Sequence, residues 1–224
     1  MKPRREASAR LPGSGAPVRP SGRPEARPGG EVRIIGGVWK RSKLTVPYRP
    51  DLRPTPDRVR ETLFNWLGQD LAGWRCVDAF AGSGALGFEA ASRGASEVCL
   101  IEADAALARQ LQAHATRLKA EQVRVLAGDA LAALARLPAG ASDVVFLDPP
   151  FGAASTGGEQ PLFARALTAA VPLLAPAGCV YLEAPMPWTD DHLRPWGLKI
   201  HRSGKAGLVH YHLLVRATGD NPSP

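Results

Sequence analysis

Cysteine is scarce in this chain, with only Cys76, Cys99 and Cys179 among 224 residues. The number is odd and no two have CxxC spacing, which excludes a disulfide framework and a structural zinc site. Each lies in or beside an apolar, strand-like run, so buried, reduced thiols and a cytoplasmic location are expected. Histidine is equally sparse before residue 190, where His114 stands alone in the middle of a helical pattern, one step off its apolar stripe, and reads as a surface residue. His192, His201, His210 and His212 follow near the end, the last two alternating along a strand as outward-facing positions. No metal-ligand spacing results. Long apolar runs are also missing. The nearest approach to the roughly 18 residues that a membrane span needs runs from Ala166 to Leu182 and is broken by Thr168, Pro172, Pro176 and Gly178. Residues 1 to 30 contain no apolar core, so no secretory signal is expected, and their arginines lack the amphipathic pattern of a transit peptide.

Positive charge is present, and it is uneven. Residues 1 to 60 carry 15 Lys plus Arg against 5 Asp plus Glu, while residues 61 to 224 carry 13 against 16. A mildly acidic body with a strongly basic front implies a polyanionic partner, nucleic acid first. Within residues 1 to 30 there are six prolines, five glycines and seven basic residues and almost no large apolar side chain. Such a stretch cannot offset its ordering entropy, so a disordered basic tail is expected there, with a second short one at 218–224.

From Val32 the pattern changes. Val32 to Val38 and Leu44 to Tyr48 read as short strands around Trp39-Lys40-Arg41-Ser42-Lys43, a hairpin with a cationic tip. Next, Thr55 is a candidate N-cap, Pro56 suits the first helical position, and Val59, Leu63, Trp66 and Leu67 form a helical stripe ending near Gly68. Residues 31–70 are thus expected to form an extension facing the polyanion. Residues 71–217 alternate strand and helix as a parallel α/β sheet does. The strand runs are Arg75 to Phe80, Glu97 to Glu102, Val123 to Ala127, Asp143 to Leu147 and Gly178 to Glu183, with helical patterns starting near Leu86, Asp104, Ala130 and Leu162. Gly197 to Arg202 and Leu208 to Val215, joined by the short link Ser203 to Gly207, must be antiparallel neighbours, because a parallel return needs a longer crossover.

Gly82-Ser83-Gly84-Ala85-Leu86-Gly87 follows the first of these strands and opens a helix, the context in which GxGxxG signals a nucleotide. Phe80 and Ala81 precede it. Glu102 closes the second strand about twenty residues on, where it could accept from ribose hydroxyls. Asp129, before Ala130, closes the third and could reach an adenine amino group. An adenosine-bearing cofactor is implied, and nicotinamide dinucleotides share the spacing. Asp78 within the first strand and the element at the fourth tip the balance away from them, since a dehydrogenase would place a proton-relay group in the crevice.

That element is Asp148-Pro149-Pro150-Phe151, directly after Val144 to Leu147. A buried parallel strand delivers Asp148 to its carboxyl end, where open α/β sheets bind ligands. The prolines fix the backbone and remove two N–H donors, leaving carbonyl oxygens and then an aromatic ring. A carboxylate, a carbonyl and a stacking surface suit an amino group on a flat ring. Guanine, adenine and cytosine all offer one, in DNA or RNA.

Taken together, Arg33-Ile34-Ile35-Gly36-Gly37, Arg53-Pro54-Thr55, Asp57 to Leu67, Phe80 to Gly87 and Asp148 to Phe151 resemble the successive motifs of the RsmD family, bacterial 16S rRNA guanine-N2 methyltransferases. The similarity spans roughly Val32 to Val215. It implies a Rossmann-like class I methyltransferase with a seven-stranded, mostly parallel sheet and an antiparallel C-terminal strand. It also implies S-adenosyl-L-methionine as donor, held by Asp78, Phe80, Ala81, Gly82, Ser83, Gly84, Glu102, Asp129 and Ala130. Asp148, Pro149, Pro150 and Phe151 would be the catalytic element. Arg33, Lys40, Arg41, Lys43, Arg58 and Arg60 are the candidate contacts to 16S rRNA, naked or in the small subunit or its assembly intermediate, and a monomer without metal or membrane attachment is expected. His114 stands where the family pattern leads one to expect asparagine.

Overall fold

The computed structural model describes residues 30–49, 55–150 and 159–217; the expected tails, apart from Gly30, lie outside them, as do Arg53-Pro54 and Phe151. The extension begins with β1 (Gly30–Arg33) and β2 (Lys43–Val46), which pair antiparallel as a hairpin; the first strand ends at Arg33, short of the expected Val38, because the chain turns at Gly36-Gly37. Helix α1 (Asp57–Trp66) follows, and its buried face carries Val59, Arg60, Leu63 and Phe64. Thr55 does not cap it. Pro56 occupies the N-cap without a side-chain bond, and the Thr55 hydroxyl is used elsewhere.

The body runs β3 (Arg75–Asp78), α2 (Ala85–Ser92), β4 (Glu97–Glu102), α3 (Ala105–Leu118), β5 (Val123–Ala127), α4 (Ala130–Leu134) and β6 (Ser142–Leu147). It continues through α5 (Glu159–Ala170), β7 (Leu174–Ala184), α6 (Asp190–Leu193), β8 (Leu198–Ala206) and β9 (Val209–Arg216). One seven-stranded sheet results, in the order β5-β4-β3-β6-β7-β9-β8. Its first five strands are mutually parallel, and β9 enters antiparallel between β7 and β8. The order reverses between β3 and β6, the position where open α/β sheets leave a crevice for ligand. The last hairpin is tighter than its sequence suggests. Strand β8 extends through Ser203-Gly204-Lys205, with a register shift between Ile200 and Arg202, leaving only Gly207 and Leu208 as the turn.

Strand residues alternate between two apolar layers, as the two-residue period of a strand covered on both faces requires. Cys76, Phe146 and Tyr181 join the layer beneath α1, α2 and the hairpin, while Val77, Val145, Leu147 and Leu182 join the layer containing Phe163 and Leu167 of α5. All three cysteines are buried and free.

The extension is bolted to the body by buried polar groups. Glu89 of α2 is fully buried and accepts from the Ile35 N–H (2.8 Å), Arg60 Nη1 (3.3 Å) and Arg93 Nε (2.9 Å). Ser92 accepts from the Trp39 N–H and donates to the Gly36 carbonyl. Gly37 has φ 71°, and a Cβ there would sit 1.8 Å from the Ser92 carbonyl oxygen, so this segment can approach α2 only as glycine. His114 is buried rather than exposed: its Nε2 lies 2.9 Å from the Thr45 carbonyl and its ring meets Phe88 edge-on. It fastens α3 to the hairpin.

Candidate active site at the ends of three adjacent strands

Strand β3 delivers Asp78 and then the loop Ala79 to Gly84. The loop is pinned on both sides, with the Ala79 N–H donating to the Phe146 carbonyl and the Ala81 N–H to that of Ile101. Gly82 (φ 50°) and Gly84 (φ 75°) take left-handed conformations that disfavour a side chain. A Cβ on Gly84 would meet Leu111 Cδ2 at 2.6 Å and the Phe88 ring at 2.7 Å, and one on Gly87 would meet Leu100 Cδ2 at 2.1 Å. The glycines therefore set how closely α2 approaches the sheet as well as leaving backbone open at the loop. Ala81 and Ser83 are buried, and Phe80 is half-buried against the α5-side layer.

Glu102 ends β4 with both oxygens engaged by backbone: Oε2 accepts the Gly82 N–H and Oε1 the Asp104 N–H, each at 2.7 Å. It is clamped between the glycine loop and the start of α3. Asp129 caps α4, accepting the Ala132 N–H at 2.8 Å, with its residue exposed and Ala130 buried behind it.

Asp78 is 2% exposed, and its Oδ2 accepts the Gly87 N–H at 3.0 Å. Burial lifts its carboxyl to about 7, with Glu102 and Glu183 adding to the rise and the Gly87 N–H opposing it. Asp148 follows Leu147, which registers with Leu182 of β7, so Asp148 and Glu183 come next on neighbouring strands. Asp148 is half-buried, Pro149 buried and Pro150 exposed. Burial first, then Glu183 and Asp78, push the Asp148 carboxyl well above the usual carboxylate range.

Glu183 is the member of this group that sequence reasoning missed as a site residue. It is 4% exposed, and its Oε1 accepts from the Thr55 hydroxyl at 3.0 Å and the Tyr181 hydroxyl at 2.9 Å. Desolvation raises its carboxyl while the two hydroxyls oppose the rise. The signal was available: Glu183 closes the fifth core strand as Glu102 closes the second. Asp78, Asp148 and Glu183 make no salt bridge among the described residues. Among the described residues, the crevice between β3, β6 and β7 is therefore short of positive charge. It is suited to a cation, and to a ligand rich in hydrogen-bond donors.

Of the basic residues expected to face phosphate, Arg33, Lys40, Arg41, Lys43 and Arg58 are exposed, Lys43 pairing with Glu31 at 2.8 Å. Arg60 is not. Its side chain is wholly buried and bonded to Glu89, Asp57 and the carbonyls of Arg33 and Thr55, so its charge holds the extension together and presents no exposed donor to RNA. A groove between β2 and α3, lined in part by Arg109 and Arg117, adds cationic surface that the sequence did not single out. No group of three metal-ligating side chains occurs among the described residues, and none of their helices is long and apolar enough to cross a membrane.

Residues 32–215 match the family model described as conserved hypothetical protein 95. Ribosomal RNA small subunit methyltransferase D of Escherichia coli K12 is 50% identical over 191 residues, covering 84% of this chain and 91% of that protein. Among solved structures, yhhF of Escherichia coli matches with a TM-score of 0.70 and 38% identity over 84% of this chain and 100% of its own. A Haemophilus influenzae structure matches at 0.64 and 36%, over 83% of this chain and 98% of its own.

Proposed function

The chain belongs to the RsmD family of ribosomal RNA small subunit methyltransferases, and we propose that it moves a methyl group from S-adenosylmethionine to the exocyclic N2 of a guanine in 16S rRNA. The observation that carries this reading is the placement of Asp78 and Asp148, two acids without a salt-bridge partner among the described residues, at adjacent strand ends beside the glycine loop. When bound, the donor supplies an electrophilic methyl group on a positively charged sulfur. The residues present fit it. Asp78 offers charge that burial keeps only partly ionised until a cation arrives, and burial raises the neighbouring Asp148 carboxyl in the same direction. Gly82, Ser83 and Gly84, with Phe80 and Ala81, would leave room for the donor's backbone-facing side, Glu102 would accept its ribose hydroxyls, and Asp129 with Ala130 would border the adenine.

Asp148 would accept one hydrogen of the guanine amino group and the Pro149 carbonyl the other, with Phe151 stacking on the base. This favours a pyramidal nitrogen with its lone pair aimed at the methyl carbon. The amino nitrogen would attack the methyl carbon while the donor's sulfur leaves with the C–S electron pair, and the proton then shed by the nitrogen would pass to Asp148, which already accepts from that amino group. Positioning and electrostatics carry the acceleration. Arg33, Lys40, Arg41, Lys43 and Arg58 would hold backbone phosphates while the target base is extruded, at a cost of a few kcal/mol. The test is incubation with methyl-labelled donor and separated ribosomal RNAs and subunits, followed by digestion to nucleosides. N2-methylguanosine from small-subunit RNA is the expected product. Label in adenosine or cytidine, or in no RNA, contradicts the reading.

A further inference from the structure

Asp148 alone does not distinguish the bases, because guanine, adenine and cytosine each present an amino group on a planar ring. What separates them is the neighbouring ring nitrogen. In guanine N1 carries a hydrogen, so the edge offers two donors in a row. Adenine and cytosine offer a donor beside an acceptor. A site that demands guanine therefore needs a second acceptor next to the one that takes the amino group.

We propose that Glu183 is that second acceptor and the residue that selects guanine, an inference that rests on the guanine-N2 reading above. Register and periodicity place it. Leu147 and Leu182 are partners across β6 and β7. Phe146 and Tyr181 point into one apolar layer and Leu147 and Leu182 into the other, so Asp148 and Glu183 return together to the first face, side by side. Glu183 lies deeper, at 4% exposure, and Asp148 shallower. The Thr55 and Tyr181 hydroxyls both donate to Glu183 Oε1, which fixes the carboxyl group's orientation and opposes the rise that burial imposes on it. Thr55 leads into α1, so the selecting group is also tied to the extension.

Asp148 would then accept from N2–H and Glu183 from N1–H. Against adenine or cytosine the same pair sets an acceptor against an acceptor. Sites built to bond a ring N–H reject analogues that lack it by large factors.

The test compares RNA carrying guanine at the mapped target with the same RNA carrying 2-aminopurine, which keeps the 2-amino group but has an unprotonated N1. Wild-type enzyme should prefer guanine by about 100-fold or more in kcat/KM. In Glu183→Gln, the amide oxygen can still receive Thr55 and Tyr181 while its NH2 becomes a donor. The guanine to 2-aminopurine ratio should fall by at least tenfold. A purely structural loss would lower both rates and leave the ratio unmoved, and that result overturns the proposal. Should the variant fail to fold, the wild-type ratio decides: equal use of the two bases overturns it. Failure of wild-type enzyme to label the guanine RNA at all would instead overturn the function proposed above, and this inference with it.

Discussion

Replacing Asp78 with asparagine should change how stability depends on pH. The Asp78 carboxyl titrates at about 7 in the folded protein against 3.8 for an unburied group, so the folded chain holds this proton more tightly than the unfolded chain. Below pH 4 both forms are protonated and burial of the neutral acid costs nothing extra. As pH rises the unfolded chain releases its proton first, and stability falls until the folded carboxyl also ionises near 7. A gap of about three pKa units at 1.36 kcal/mol each is on the order of 4 kcal/mol. The neutral amide introduced by Asp78→Asn would mimic the protonated acid and keep an oxygen for the Gly87 N–H, so the variant escapes that loss. Urea denaturation of both ligand-free proteins at pH 5 and pH 8 reads the larger part of the effect: the variant should gain about 2.6 kcal/mol relative to wild type between the two. Asp148 and Glu183, also raised, leave some slope in the variant. Parallel pH profiles for the two proteins would refute the reasoning. The affinity of wild type for the cationic donor should rise through the same pH window, and that rise should be reduced in the variant.

Removing Glu89 as Glu89→Ala takes a buried carboxylate from Arg60, Arg93 and the Ile35 N–H together and should cost about 3–5 kcal/mol by urea denaturation, the range for breaking one partner of a buried pair. Gly84→Ala drives a methyl group against Leu111 and Phe88 at a positive φ, and should lose about 1–3 kcal/mol in the same assay. Replacing Lys40 and Arg41 together with Ser should flatten the salt dependence of RNA binding, lowering the slope of log K against log salt by roughly 1.5; an unchanged slope would show that they contact no phosphate.

Much of this fold was legible because its signals are local. Apolar runs, proline breaks and the glycine loop located the strands and their ends, and Asp78, Glu102, Asp129 and Asp148 all lie at strand ends or a helix start where they were expected. What escaped were groups whose role depends on partners distant in sequence. Thr55 has every local feature of a helix cap, yet a carboxylate 128 residues away takes its hydroxyl. Arg60 sits in a run of basic residues that looks solvated, and only the packing of α1 on α2 turns it inward onto Glu89. His114, one step off an apolar stripe, is covered by a hairpin that no helical periodicity can announce, and His212 is buried at 2% exposure for the same reason, between Trp188 and its strand neighbours. The Gly36-Gly37 pair, among the most specific marks in the sequence, has a structural explanation as the close contact of the extension with Ser92.

In the proposed reaction the carboxylate at the end of β6 grips the nitrogen being methylated. Single-turnover methylation of 16S rRNA by Asp148→Ala, set beside its affinity for the uncharged product S-adenosylhomocysteine, tests this most directly. The rate should fall at least 100-fold, about 2.7 kcal/mol on the barrier, while product affinity stays within about threefold. A rate within tenfold of wild type, or a loss accounted for by weakened product binding, would contradict the account.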